Sequence, residues 1–197
     1  QSEDRTGGRL GGIISEVAIR QIIANGGGSI GGNNNPPNDD NNPRPSSSGE
    51  LDYHLDTNYG GIQLERNFDD PQVVEAYSGA SQDSIVDIAS FDLGDGCLGY
   101  STAQPDYRIQ WTGSGSFLRF FFAAQEANGD TVLVINQPDG SWICGDDSFN
   151  TLSPTVDVRP MEGQYDIWIA SYNADENVGG YLVITEDDNL SPDNFRP

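Results

Sequence analysis

The chain contains no lysine. Its nine cationic side chains are all arginine, set against 31 aspartates and glutamates, and the formal charge is −22. A surface of that sign repels phosphate backbones and anionic lipid, which removes nucleic acid and membrane surfaces from the expected partners. One histidine is present, His54. That excludes a His-rich zinc site, and any Ser-His-Asp or Cys-His device would have to be built on this residue. Lysine nucleophiles are excluded outright. Paired carboxylates of the glycosidase kind arise by chance on so acidic a surface, so the expectation is a protein with no catalytic residue and no organic cofactor. No apolar run approaches the roughly 20 residues that span a bilayer, and no signal-type apolar core is present. Cysteine occurs twice, at Cys97 and Cys144. Two cysteines are compatible with one disulfide in an oxidising compartment or with a pair of buried thiols.

What is there begins with an isolated β-branched patch, Ile13 to Ile23, cut off from the rest by Gly, Asn, Pro and Ser between Asn25 and Gly49. The only aliphatic side chain in that separating stretch is Ile30, so patch and spacer together bury too little apolar surface to offset the entropy of ordering. A sheet supplied by a neighbouring copy would provide the missing surface. As a strand the patch places Ile13, Val17, Ile19 and Ile23 on one face with Glu16 and Arg20 on the other; as a helix it aligns Ile14, Ala18 and Ile22. The strand is preferred because β-branched side chains lose rotamer freedom in a helix and pack well on a pleated surface. Gln1 is read as a mature N-terminus left after removal of an export signal.

From Tyr59 onward short alternating segments recur between turn residues. Tyr107, Ile109 and Trp111 share one face, as do Leu118, Phe120 and Phe122. Thr131 to Asn136 ends at Pro138-Asp139-Gly140, where Pro presets φ and Gly accepts unusual backbone angles, and the chain restarts at Ser141-Trp142-Ile143-Cys144 as a hairpin. Segments 61–64, 72–77, 84–88, 164–171 and 180–185 complete eight or nine strands with no long helix. The expected fold class is therefore all-β, a two-sheet antiparallel sandwich of jelly-roll type. The expected organisation is an N-terminal docking (donor) strand over 1–24, a linker over 25–58, the sandwich over 59–188 and an acidic tail over 189–197.

Several residue groups are candidates for chemistry. Asp139, Asp146 and Asp147 could gather oxygen ligands for Ca²⁺, although their spacing is not that of an EF-hand; the competing reading makes them turn residues whose side chains cap backbone amides. Trp111, Trp142 and Trp168 could form a sugar-stacking platform, against the commoner fate of core packing. Asn189-Leu190-Ser191 matches a glycosylation acceptor at Asn189, and Ser46-Ser47-Ser48 could carry O-linked sugar.

Five segments in order, Cys97-Leu98-Gly99-Tyr100, Gln104 to Arg108, Asp130 to Asn136, Pro138 to Ser148 and Gly163 to Ile169, resemble bacterial pre-peptidase C-terminal-like domains, the likeness spanning roughly Tyr59 to Glu186. The resemblance implies a secreted β-sandwich that serves as an accessory or binding module. Because both cysteines fall in the matching segments of an exported chain, it also implies a Cys97–Cys144 disulfide. With the detached leader, the expected function is a structural subunit of an extracellular bacterial filament. Ile13, Val17, Ile19 and Ile23 of one copy would add a strand to the sandwich of the next, with this chain itself as the partner. The alternative is a monomeric secreted module that binds calcium or carbohydrate.

Overall fold

The alternation in Tyr107–Thr112 sends every second side chain inward, and two sheets close over the result. The computed structural model describes residues 49–80 and 84–197. The leader residues Ile13, Val17, Ile19 and Ile23, and with them the choice between strand and helix, lie outside the described residues, as do linker positions 25–48 and the Ser46–Ser48 run.

The described chain is an all-β sandwich. Its strands are β1 (Gly61–Glu65), β2 (Gln72–Tyr77), β3 (Val86–Asp87), β4 (Tyr100–Ser101), β5 (Tyr107–Thr112), β6 (Leu118–Ala124), β7 (Thr131–Asn136), β8 (Trp142–Gly145), β9 (Asp147–Ser148), β10 (Thr151–Val158), β11 (Gly163–Ser171) and β12 (Gly179–Thr185). One sheet is built around β11, with β5 and then β1 on one side, β7 and then β8 on the other, and the short β4 and β3 at its far end. The other runs β2-β12-β6-β10-β9. Between them lie Ile109, Trp111, Leu118, Phe120, Phe122, Leu133, Ile135, Tyr165, Ile167 and Leu182, all fully buried.

Both outer faces are covered as well, and this explains why β7 and β11 read as near-continuous apolar runs. Val132, Val134, Trp168 and Ala170 point away from the central core and are capped by Ile88, Leu93, Cys97 and Leu98 from the excursion between β3 and β4. A disulfide joins Cys97 to Cys144 of β8 and staples that excursion to the β7–β8 hairpin. On the opposite side Phe121, Ala123 and Val183 are covered by Phe195, with Leu190 and Tyr181 packed beside it.

Four details refine the expected picture. The final segment 189–197 is no free tail: Phe195 is buried edge-on against Phe121, and the Arg119 guanidinium donates to the Asp188 and Leu190 carbonyls. Polarity hid a single aromatic anchor. Residues ahead of β1 are tied to the sandwich, the Asp52, Asn58 and Tyr59 amides donating to the carbonyls of Ala103, Pro105 and Asp106. The sheets are not wholly antiparallel, since β1 runs parallel to β5 with Ile62 opposite Ile109 and Leu64 opposite Trp111. Finally, the strand expected over 84–88 is only Val86–Asp87, after which Asp87 caps the Ala89 amide and starts a 3₁₀ turn over Ile88–Phe91.

One long strand escapes sequence reading altogether. β10 contains Pro154, which ordinarily demotes a segment from strand to loop. Here it sits where the β9–β10 register shifts between Thr151 and Pro154, and the ladder to β6 begins only at Thr155. The missing N–H therefore falls at an irregularity in the ladder.

Candidate metal centre

The β7–β8 hairpin brings the acidic residues together. Leu133 pairs with Gly145 at its open end, so the next residues of the returning chain, Asp146 and Asp147, arrive beside the start of β7, which Asp130 immediately precedes. One carboxylate oxygen from each of Asp130, Asp146 and Asp147 lies within 4.8 Å of the others. Asp130 and Asp146 are half-buried and Asp147 is exposed. Asp130 Oδ1 and Asp146 Oδ1 are both shielded from solvent and accept no hydrogen bond.

Electrostatics follow from that crowding. Burial pushes the Asp130 carboxyl above its ordinary value, and the neighbouring Asp147, Asp146 and Glu176 charges push in the same direction. Asp146 is raised by burial first and by Asp147 second. Three like charges with two shielded, undonated oxygens form a site that a cation would relieve.

The donor set selects the cation. All-oxygen ligation favours a hard divalent ion over zinc. Oxygens about 2.3–2.6 Å from one Ca²⁺ can stand up to roughly 5 Å apart, whereas Mg²⁺, at about 2.0–2.1 Å, needs a tighter cage. Three carboxylate oxygens this close can serve one such ion, with water or backbone oxygen completing the shell.

Of the three aspartates expected to act together, the structure joins Asp146 and Asp147 and leaves Asp139 elsewhere. Asp139 sits at the closed end of the hairpin, about 20 Å away by strand rise. There it accepts from the Ser141 amide at 2.9 Å and the Ser141 hydroxyl at 2.6 Å, bonds that hold its carboxyl below the usual range. It is a turn cap. Asp130 was the member missed, and the signal was available: continuing the register of a hairpin turning at Pro138-Asp139-Gly140 leads from Asp147 and Ser148 back to residue 130.

Other candidate residues fall as follows. Trp111 and Trp168 are fully buried, and the half-buried Trp142 packs on Trp168 with ring centroids 5.3 Å apart. The tryptophan platform is therefore corrected: these rings fill the core and an outer-face cluster, and none is presented for stacking. His54 is exposed and pairs with Asp52 at 3.1 Å. Asn189 is exposed, its amide donating to Asp187 and Asp188 at 2.9 Å each, while Ser191 of the same acceptor motif is buried against Asp193.

A second buried acid lies apart from the cluster. Asp106 is 1% exposed and accepts from the Ile169 amide at 2.7 Å and from Asn58 Nδ2 at 2.8 Å. Burial pushes it up to about 7 despite both bonds. Asn58 in turn accepts from Gln104 Nε2 at 2.7 Å, so the network locks the residues preceding β1 onto the sandwich.

No protein-family model matches this chain, and no curated protein sequence matches it. Among solved structures it is similar to the pre-peptidase C-terminal domain of a collagenase from Bacillus anthracis, with 8% identity and a TM-score of 0.40 over 64% of this chain and 94% of that one. It is also similar to a β-glucosidase from Paenibacillus barengoltzii, with 11% identity and a TM-score of 0.29 over 69% of this chain and 12% of that one. Neither similarity bears on function.

Proposed function

We propose that this chain is an exported, non-catalytic β-sandwich module that binds Ca²⁺ through Asp130, Asp146 and Asp147. The observation that supports it is the pair of shielded carboxylate oxygens, on Asp130 and Asp146, that no donor reaches. Leaving such atoms unsatisfied is costly, and a cation removes the cost. The Cys97–Cys144 bond fits an oxidising compartment. No helix of the described residues is long and apolar enough to cross a membrane.

Calcium at a hundredfold excess over its dissociation constant is expected to stabilise the protein by about 2.7 kcal/mol. Asp146→Asn removes one of the three charges, so it weakens binding while relieving repulsion in the metal-free protein. Its melting temperature without calcium should equal or exceed that of the parent, and its gain on adding calcium should shrink. Titration calorimetry and thermal melts check both halves. A parent protein that shows neither heat nor a raised melting temperature in millimolar calcium refutes the reading. Because Asp130 and Asp146 are both raised, protons compete with calcium from a pH above the ordinary carboxylate range.

A second reading, the structural subunit of an extracellular bacterial filament, is favoured by open sheet edges, those of β1 and β2 among them. Among the described strands β1 pairs only with β5 and β2 only with β12, so each keeps one side without a partner strand, the Tyr59 hydroxyl occupying the Tyr77 end of β2. Under this reading the leader of a neighbouring copy fills one of those edges. Replacing Val17 and Ile19 together with Asp is expected to abolish polymers seen by light scattering and negative-stain microscopy. Polymers that form normally from that variant overturn the donor-strand reading. Discrete monomers of the parent protein at micromolar concentration leave the calcium module standing alone.

A further inference from the structure

We infer that a groove beside β2 and β12, which borders the metal centre at Gly129 and Glu176 but shares none of its three aspartates, binds a neutral, hydroxyl-rich glycan. The groove holds about 380 Å³, within the roughly 300–1,000 Å³ of small-molecule sites. Its polar and aromatic lining is Tyr77, Gln125, Glu126, Asn128, Glu176 and Asn177. Tyr77 is 54% exposed, a large fraction for an aromatic ring.

Two glycines shape the floor. Gly179 stands directly across the ladder from Tyr77. A Cβ at Gly179 would come within 3.1 Å of the Tyr77 ring and 3.3 Å of Gln125 Oε1, so its absence lets the ring lie against the backbone with the Gln125 amide alongside. A side chain at Gly129 would run into Val178. Both walls are pinned before any ligand arrives. The Gln125 amide donates to Gly179 O at 2.9 Å, and the Ser78 amide donates to Val178 O at 2.9 Å. Ser78 Oγ accepts from the Val178 amide at 3.0 Å, and Ser171 Oγ donates to Glu176 O at 2.8 Å. A preformed groove loses little entropy on binding.

The chemistry of the lining selects the ligand. An exposed tyrosine offers a flat apolar face with a polar tip, which suits the C–H face of a sugar ring. Gln125, Asn128 and Asn177 each bring donors and an acceptor, and the two glutamates bring acceptors only. Hydroxyl groups use both kinds of partner. An anionic ligand finds no cation in this lining and meets a chain of net charge −22. A basic peptide would be held chiefly by the charges of Glu126 and Glu176, so added salt abolishes its binding and leaves that of a neutral glycan.

The test uses the full chain and defined probes: affinity gel electrophoresis in soluble β-glucan, xylan and galactomannan, and calorimetry with chito-oligosaccharides. At least one is expected to bind the parent protein. Tyr77→Ala should weaken that binding by about tenfold, as loss of one stacking ring implies, while Tyr77→Trp retains it. Asn177→Ala, on an exposed loop, should weaken it without altering the melt. Tyr172→Ala, at an exposed tyrosine outside the groove, is the control and should bind as the parent does. Calcium isotherms of the Tyr77 variants are expected to match the parent, so failure of the glycan site and failure of the calcium reading are distinguishable. The inference is overturned if no probe binds, if Tyr77→Ala binds as tightly as the parent, or if only a poly-arginine peptide binds and added salt abolishes its binding.

Discussion

Replacing both Cys97 and Cys144 with serine is expected to lower the stability of the sandwich by roughly 4 kcal/mol, the chain-entropy value for a loop of this length. The bond spans 47 residues and fastens the excursion after β3 to the β7–β8 hairpin. The excursion carrying Ile88, Leu93 and Leu98 covers Val134 and Trp168 on the outer face of one sheet. Once released, it would uncover an apolar face that includes the Trp142–Trp168 pair. Urea unfolding of the double-serine variant, followed by tryptophan fluorescence, should show a midpoint lower by about 2 M if the slope is near 2 kcal/mol/M. Reduced parent protein should fall on the same curve. A variant within about 1 kcal/mol of the parent would mean that the excursion holds itself in place without the bond.

Acidification from neutral pH is expected to stabilise this protein, the reverse of the usual behaviour of a protein held by ion pairs. Asp106 ionises near 3.8 when free and near 7 when folded. A carboxyl whose folded value is raised binds its proton more tightly in the folded state, so its contribution to stability is full below pH ~3.8 and is lost as pH rises through about 7. At about 1.36 kcal/mol per unit the span is worth roughly 4 kcal/mol at most. Asp130 and Asp146 act in the same direction when calcium is absent. Asp106→Asn separates the contributions: asparagine keeps the size and one acceptor for the Ile169 amide but cannot ionise. Unfolding free energies of parent and variant, measured from pH 4.5 to 8 in excess calcium, should converge at the acid end and part as pH rises, the parent losing more. Identical slopes would show that Asp106 is solvated or paired well enough to ionise freely.

Periodicity made most strands legible. β5 shows its faces by simple alternation, β7 declares itself as a β-branched run, and the β7–β8 hairpin follows from one Pro-Asp-Gly turn. Residues whose placement depends on partners far along the chain were less legible. Phe195 looks like one aromatic in a polar tail until Phe121 and Tyr181 supply its pocket. Pro154 argues against a strand until the β9 register shows why it is tolerated there. Tyr77 looks like the end of a strand until Gly179, about a hundred residues later, is seen beneath its ring.

The same division holds for the candidate sites. By itself the sequence determined an all-β chain without lysine, with one histidine, a strongly acidic surface and acidic residues following Cys144, because composition and period-two alternation act locally. Only the tertiary structure decided that Asp130 replaces Asp139 beside Asp146, that the tryptophans fill the interior, and that Asp106 loses its solvent. Metal geometry and desolvation depend on which distant segments meet. The β7–β8 hairpin carries two aspartates to opposite ends of itself, and only the strand register determines which of them stands with the others.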